Sequence, residues 1–101
     1  MQLIAGKVVL DFYNNTTLEK KASLIKDLTK AISARHAVSF REIDEFDDLE
    51  KCVLGWSAVA AETWDGLRIS KFAEAIMKDI DQTSAARVTF EDWEIVDAFV
   101  R

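Results

Sequence analysis

Lys51-Cys52-Val53-Leu54-Gly55-Trp56-Ser57-Ala58-Val59-Ala60-Ala61 places Cys52, Leu54, Trp56 and Ala58 on one face of an extended chain and Val53, Gly55, Ser57 and Val59 on the other. Side chains alternate across a strand, so a strand apolar on both parities belongs in the middle of a sheet, covered on each side. A central strand needs neighbours, and the flanking sequence supplies them. Upstream, Val8, Leu10 and Phe12 share one face while Lys7, Val9 and Asp11 take the other, which predicts a first strand. Asn14-Asn15 then ends it with turn-prone residues.

Between those strands the period changes. Thr16 stands three residues before Glu19, the spacing of a capping box, and predicts a helix start. Leu18, Ala22, Ile25, Leu28 and Ile32 recur at steps of three and four, with Leu24 and Ala31 widening the stripe. Arg35 and His36 fall where cations favour a helix end. Residues 37–43 read as a second strand whose apolar parity shifts between Phe40 and Ile43, so a bulge is expected there. The acidic stretch 44–50 reads as a loop.

Downstream, residues 62–66 form a connector with Thr63 or Asp65 as N-cap. A second helix turns Leu67, Ile69, Phe72, Ala73, Ile76 and Ile80 inward, and a last strand runs over 87–93 with Val88 and Phe90 on one face. Ile95, Val96, Phe99 and Val100 are too apolar to be left in water and are candidates to fold back over the sheet. The order β-α-β-β-α-β, with helices of unequal length, predicts an α+β, ferredoxin-like two-layer sandwich in a single domain over residues 1–101. Its four-stranded antiparallel sheet has the order 4-1-3-2, with two helices on one face.

Composition narrows the class. With 50% apolar and 31% charged residues the 101-residue chain can bury a core and is too apolar for disorder. Cys52 is the only cysteine, so no internal disulfide is possible and zinc has no thiolate pair. The first residues lack the basic and apolar regions of a signal peptide, and no run is long enough to span a membrane. A cytoplasmic protein without membrane contact is the expectation. A net charge of −5 weighs against non-specific nucleic-acid binding, and no DNA partner is expected. The charge is unevenly spread, however. Lys20, Lys21, Lys26, Lys30 and Arg35 crowd the first helix, while Glu42, Asp44, Glu45, Asp47, Asp48 and Glu50 crowd the loop after the second strand.

Several short runs, Thr17-Leu18-Glu19-Lys20-Lys21, Ile25-Lys26-Asp27-Leu28, Ala34-Arg35-His36-Ala37-Val38-Ser39, Glu42-Ile43-Asp44 and Leu54-Gly55, fall in register with one family pattern. Together with Val8-x-Leu10-x-Phe12 they resemble the YlxP-like family of small bacterial proteins of unknown function. The resemblance implies a ferredoxin-like fold and no established activity. It suggests an RNA- or ribosome-associated role by association only.

Candidate sites follow from residue type. Lys20, Lys21, Lys26 and Lys30 could position a phosphate backbone, against the plainer reading of a solvated helix face. The acidic loop could chelate a hard cation, but it lacks the alternating aspartates and turn glycine of such loops, and no metal or other cofactor is expected. His36 has no second histidine and no nucleophile near it, and Cys52 lies in a strand expected to be buried. No catalytic residues emerge, and an enzyme is the least favoured class. Trp56 shares parity with the core, whereas Trp64 in the connector is the candidate partner anchor. The sheet face left bare should carry Leu3, Ala5, Val9, Tyr13, Val53, Gly55 and Val59, a contiguous apolar patch broken only by Lys7, Asp11 and Ser57. Such a patch predicts a homo-oligomer, a dimer above all, with Leu3, Val9, Tyr13, Val53 and Val59 at its interface. The functional expectation is a non-catalytic binding module for RNA or a ribosomal component, with a protein-interaction or regulatory domain as the alternative.

Overall fold

The computed structural model describes residues 1–97. Its elements are β1 (Gln2–Asp11), α1 (Leu18–Arg35), β2 (Ser39–Asp44), β3 (Lys51–Val59), α2 (Gly66–Thr83) and β4 (Arg87–Asp97). The sheet order is β2-β3-β1-β4, all neighbours antiparallel, which is the ferredoxin-like α+β order expected. Both helices span 18 residues, so the expected inequality of length is absent.

β3 lies inside the sheet, between β2 and β1, and Cys52, Leu54, Trp56 and Ala58 on its inner face are all buried. They join Ile4, Val8, Leu10 and Phe12 from the first strand region, Leu28 and Ile32 from α1, and Ile69, Ala73, Ile76 and Ile80 from α2 in one core. The bulge expected in β2 falls at Ile43, between Glu42 and Asp44. A second register shift in the β1–β4 pairing, between Val9 and Leu10, accommodates Thr89.

One row crosses all four strands on the helix side: Phe40, Trp56, Gly6 and Trp93. Gly6 is required there, because the Trp56 indole occupies the space a β-carbon would take. Trp56 is buried by this arrangement, and its indole Nε1 has no hydrogen-bond partner among the described residues.

Four local expectations need correction. The α1 N-cap is Thr17 rather than Thr16, its hydroxyl accepting from Lys20 N–H at 3.1 Å. The inward stripe of α1 runs through Lys21, Leu28 and Ile32, while Leu18 and Ala22 face solvent. In α2, capped by Asp65, the buried stripe is Ile69, Ala73, Ile76 and Ile80, a strict four-three-four spacing that leaves Leu67 outside. β4 continues past Trp93 to Asp97, so Ile95 and Val96 extend the edge strand instead of folding back over the sheet. Phe99 and Val100 lie outside the described residues.

Candidate functional site

The four lysines of α1 do not form one surface. Lys20, Lys26 and Lys30 are exposed, and no ion pair among the described residues involves them. Lys21 points the other way and is 2% exposed. Its ammonium donates to the backbone oxygens of Glu45 (2.6 Å) and Asp48 (2.7 Å), and its third neighbour is Glu42 Oε1 at 3.3 Å. In that position it cannot reach a phosphate. The acidic stretch after β2 therefore closes on an internal ammonium through its backbone oxygens. Among the described residues no group of three or more His, Cys, Asp or Glu side chains could share a metal ion.

Further hydrogen bonds fix the loop. Glu45 adopts φ 59°, Asn15 Nδ2 donates to Thr17 O and Leu49 O, and Phe12 N–H donates to Glu50 O. Asp48 Oδ1 accepts from Lys51 N–H and Glu50 N–H, and those bonds hold its carboxyl below the ordinary value of 3.8. A folded-state value lowered in this way gives stabilisation that is complete above 3.8 and lost as the pH falls through the folded value. The Glu50 and Lys51 amide shifts should accordingly titrate together with a midpoint below 3.8, and Asp48→Ala should remove the transition. A midpoint at or above 3.8 would contradict the bonding described.

Behind the loop, burial and the neighbouring Glu42 carboxylate push the Cys52 thiol up to about 12, so it is a protonated core group and not a nucleophile. His36 ends α1 against α2. Its Nε2 lies 3.1 Å from Asp79 Oδ2, Arg35 pairs with the other oxygen of Asp79, and the imidazole meets Phe72 edge-on. That contact ties the two helices together.

The outer sheet face is less apolar than expected because the edge strands cross it with charge. Arg41, Gly55, Lys7 and Asp92 form one row, and Ser39, Ser57, Ala5 and Glu94 the next. This polar belt divides the expected patch. Leu3, Val59 and Val96 are neighbours at one end, and Val53, Val9 and Phe90 at the other. Val53 is only 7% exposed and Val59 60%, while Tyr13 lies beyond β1 and its hydroxyl accepts from Arg87 Nη1.

A different apolar surface opens where α2 begins. Trp64, held by a turn hydrogen bond from its N–H to Ala61 O, packs at 5.3 Å against Phe72. The Arg68 guanidinium lies 5.1 Å from the Trp64 ring centre. Trp64, the expected exposed anchor, is thus half-buried. The exposed group beside it is Leu67, at 64%. With Arg68 and Lys71 these side chains line an open groove of about 610 Å³. Sequence reading missed Leu67 by placing it inward, although the spacing of Ile69, Ala73, Ile76 and Ile80 already excludes it.

A family model described as "Protein of unknown function (DUF503)" matches residues 3–93. No curated protein matches the chain. Among solved structures, the de novo designed protein Foldit4 is similar at 14% identity and a TM-score of 0.46, with all of both chains covered. The de novo designed protein Ferredog-Diesel is similar at 12% identity and a TM-score of 0.43, covering 94% of this chain and 84% of that one.

Proposed function

The chain belongs to DUF503, a family of unknown function, and from that premise we propose that it is a non-catalytic binding module that docks a protein at the start of α2. The observation that carries this reading is Leu67, left in solvent beside two half-buried aromatic rings and an arginine. Aromatic and arginine side chains around an apolar depression are the usual make-up of binding hot spots. Arg68 and Lys71 border the groove, so the matching partner surface offers an apolar side chain flanked by carboxylates.

The YlxP-like resemblance, a finer reading of the same membership, favours RNA or a ribosomal component instead. Lys20, Lys26 and Lys30 support it, but Glu19 and Asp27 stand exposed on the same helix and Lys21 is withdrawn from it. Self-association is a separate proposal, supported by the cluster of Leu3, Val59 and Val96. Light scattering at micromolar concentration tests it, and a monomer mass there removes it.

Capture from host extract on the immobilised protein tests the docking reading. Leu67→Asp is expected to leave the thermal midpoint nearly unchanged, because the side chain is exposed, and to lose the partner that wild type retains. Equal capture by both proteins would overturn the assignment of the groove.

A further inference from the structure

We propose that the free edge of β4 accepts an extended basic segment of another protein, added as a fifth strand antiparallel or parallel to it. Among the described residues β4 ends the sheet, and the register pairs it with β1 alone. From Phe90 to Asp97 that register is unbroken, so a regular strip of backbone donors and acceptors runs along the outer edge. Exposed edges are normally blunted by proline, charged side chains, bulges or short length. β4 is the longest strand, contains no proline, and its bulge lies at the far end near Thr89; its protection is charge, acidic apart from Arg87, which repels another acidic edge and admits a basic one.

Charge selects the occupant. Glu91, Asp92, Glu94 and Asp97 stand on β4 against the single cation Arg87, which is already engaged with Tyr13. Two β4 strands paired about a twofold axis would set these carboxylates opposite one another, which disfavours a second copy. A segment with lysine or arginine at alternate positions instead meets Asp92 and Glu94 on the outer face.

The inner face supplies an independent fit. Between α2 and β4 lies an open groove of about 530 Å³, lined by the apolar Met77, Val88 and Phe90 and by three carboxylates, Glu74, Asp81 and Glu91, against one cation, Lys78. The carboxylates outnumber that lysine, so a long cationic side chain suits the combination, its stem on the apolar groups and its charge at the carboxylates. Further along, Ile95 is 41% exposed on the helix side of the sheet and offers apolar contact to the same strand. Trp93 N–H is held by the neighbouring Asp92 carboxylate at 2.8 Å. A cation that draws Asp92 away would release this donor to the new ladder.

Fluorescence anisotropy with a labelled alternating Lys-Val peptide, as long as β4, tests the proposal. Wild-type protein should bind it, and weaken as salt rises. A peptide with every backbone amide N-methylated keeps its charge but offers no N–H on either edge, and should bind on the order of 100-fold more weakly, the loss of a few ladder bonds. Asp92→Lys with Glu94→Lys, both exposed, should lose binding, whereas Leu67→Asp should retain it, because the two surfaces are separate. Equal binding of the N-methylated peptide would overturn strand addition, and equal binding of a Glu-Val peptide would overturn the charge selection. A dimer that Asp92→Lys with Glu94→Lys abolishes would overturn the choice of occupant.

Discussion

Replacing Lys21 by methionine is expected to lower the unfolding free energy by about 3 kcal/mol, the lower end for breaking a buried ion pair from one side. Methionine keeps most of the stem volume, so the loss isolates the ammonium. Two backbone oxygens, of Glu45 and Asp48, would lose their donor, and Glu42 would lose its counter-charge. Glu42 retains 25% exposure and some access to water, which is why the larger figures for sealed pairs do not apply. Chemical denaturation measures the change, and amide exchange should show the loop after β2 opening first. A loss under about 1 kcal/mol, the typical worth of a surface pair, would mean that water replaces the ammonium without penalty. Lys20→Met is the control, since Lys20 is exposed and should cost little.

Gly6→Ala is expected to destabilise the fold by about 3 kcal/mol, the upper part of the range for overpacking. The added methyl would overlap the indole of Trp56 on the partner strand. The ring has no easy retreat, because Phe40 occupies the next position across the sheet and the helix layer closes over the core. Trp56→Leu should rescue in part. Alone it leaves a cavity, but with Gly6→Ala the methyl enters the vacated space, so the double variant should be more stable than the two losses added together. A coupling of about 1–3 kcal/mol is expected for side chains in direct contact. Strict additivity of the two changes would contradict the contact.

The sheet was legible because its two inner strands carry the clearest alternation. β1 and β3 lie next to each other, and their inner residues Val8, Leu10, Cys52, Leu54 and Trp56 are all buried, as the period of two requires. The β2 bulge was legible for the same reason, since a parity shift has no other explanation in a short strand. The candidate surfaces were read less well. Lys21 carries the same side chain as its neighbour Lys20, and composition cannot tell a solvated lysine from a buried one. Position could have done so, because Lys21, Ile25, Leu28 and Ile32 fall at four-three-four steps on one helix face, and an acidic loop was available to receive the charge. The bare sheet face was misjudged because its continuity was inferred from β1 and β3 alone. Arg41, Asp92 and Glu94, contributed by the edge strands, interrupt it.

The most direct measurement is capture from nuclease-treated host extract on three immobilised proteins: wild type, Leu67→Asp, and a form with Lys20, Lys26 and Lys30 all changed to Glu. Docking of a protein at the start of α2 predicts a partner that survives nuclease, is held by wild type and the lysine variant, and is lost with Leu67→Asp. A partner that disappears with nuclease, is lost with the lysine variant and is kept by Leu67→Asp would contradict protein docking and establish the phosphate-binding face of α1 in its place.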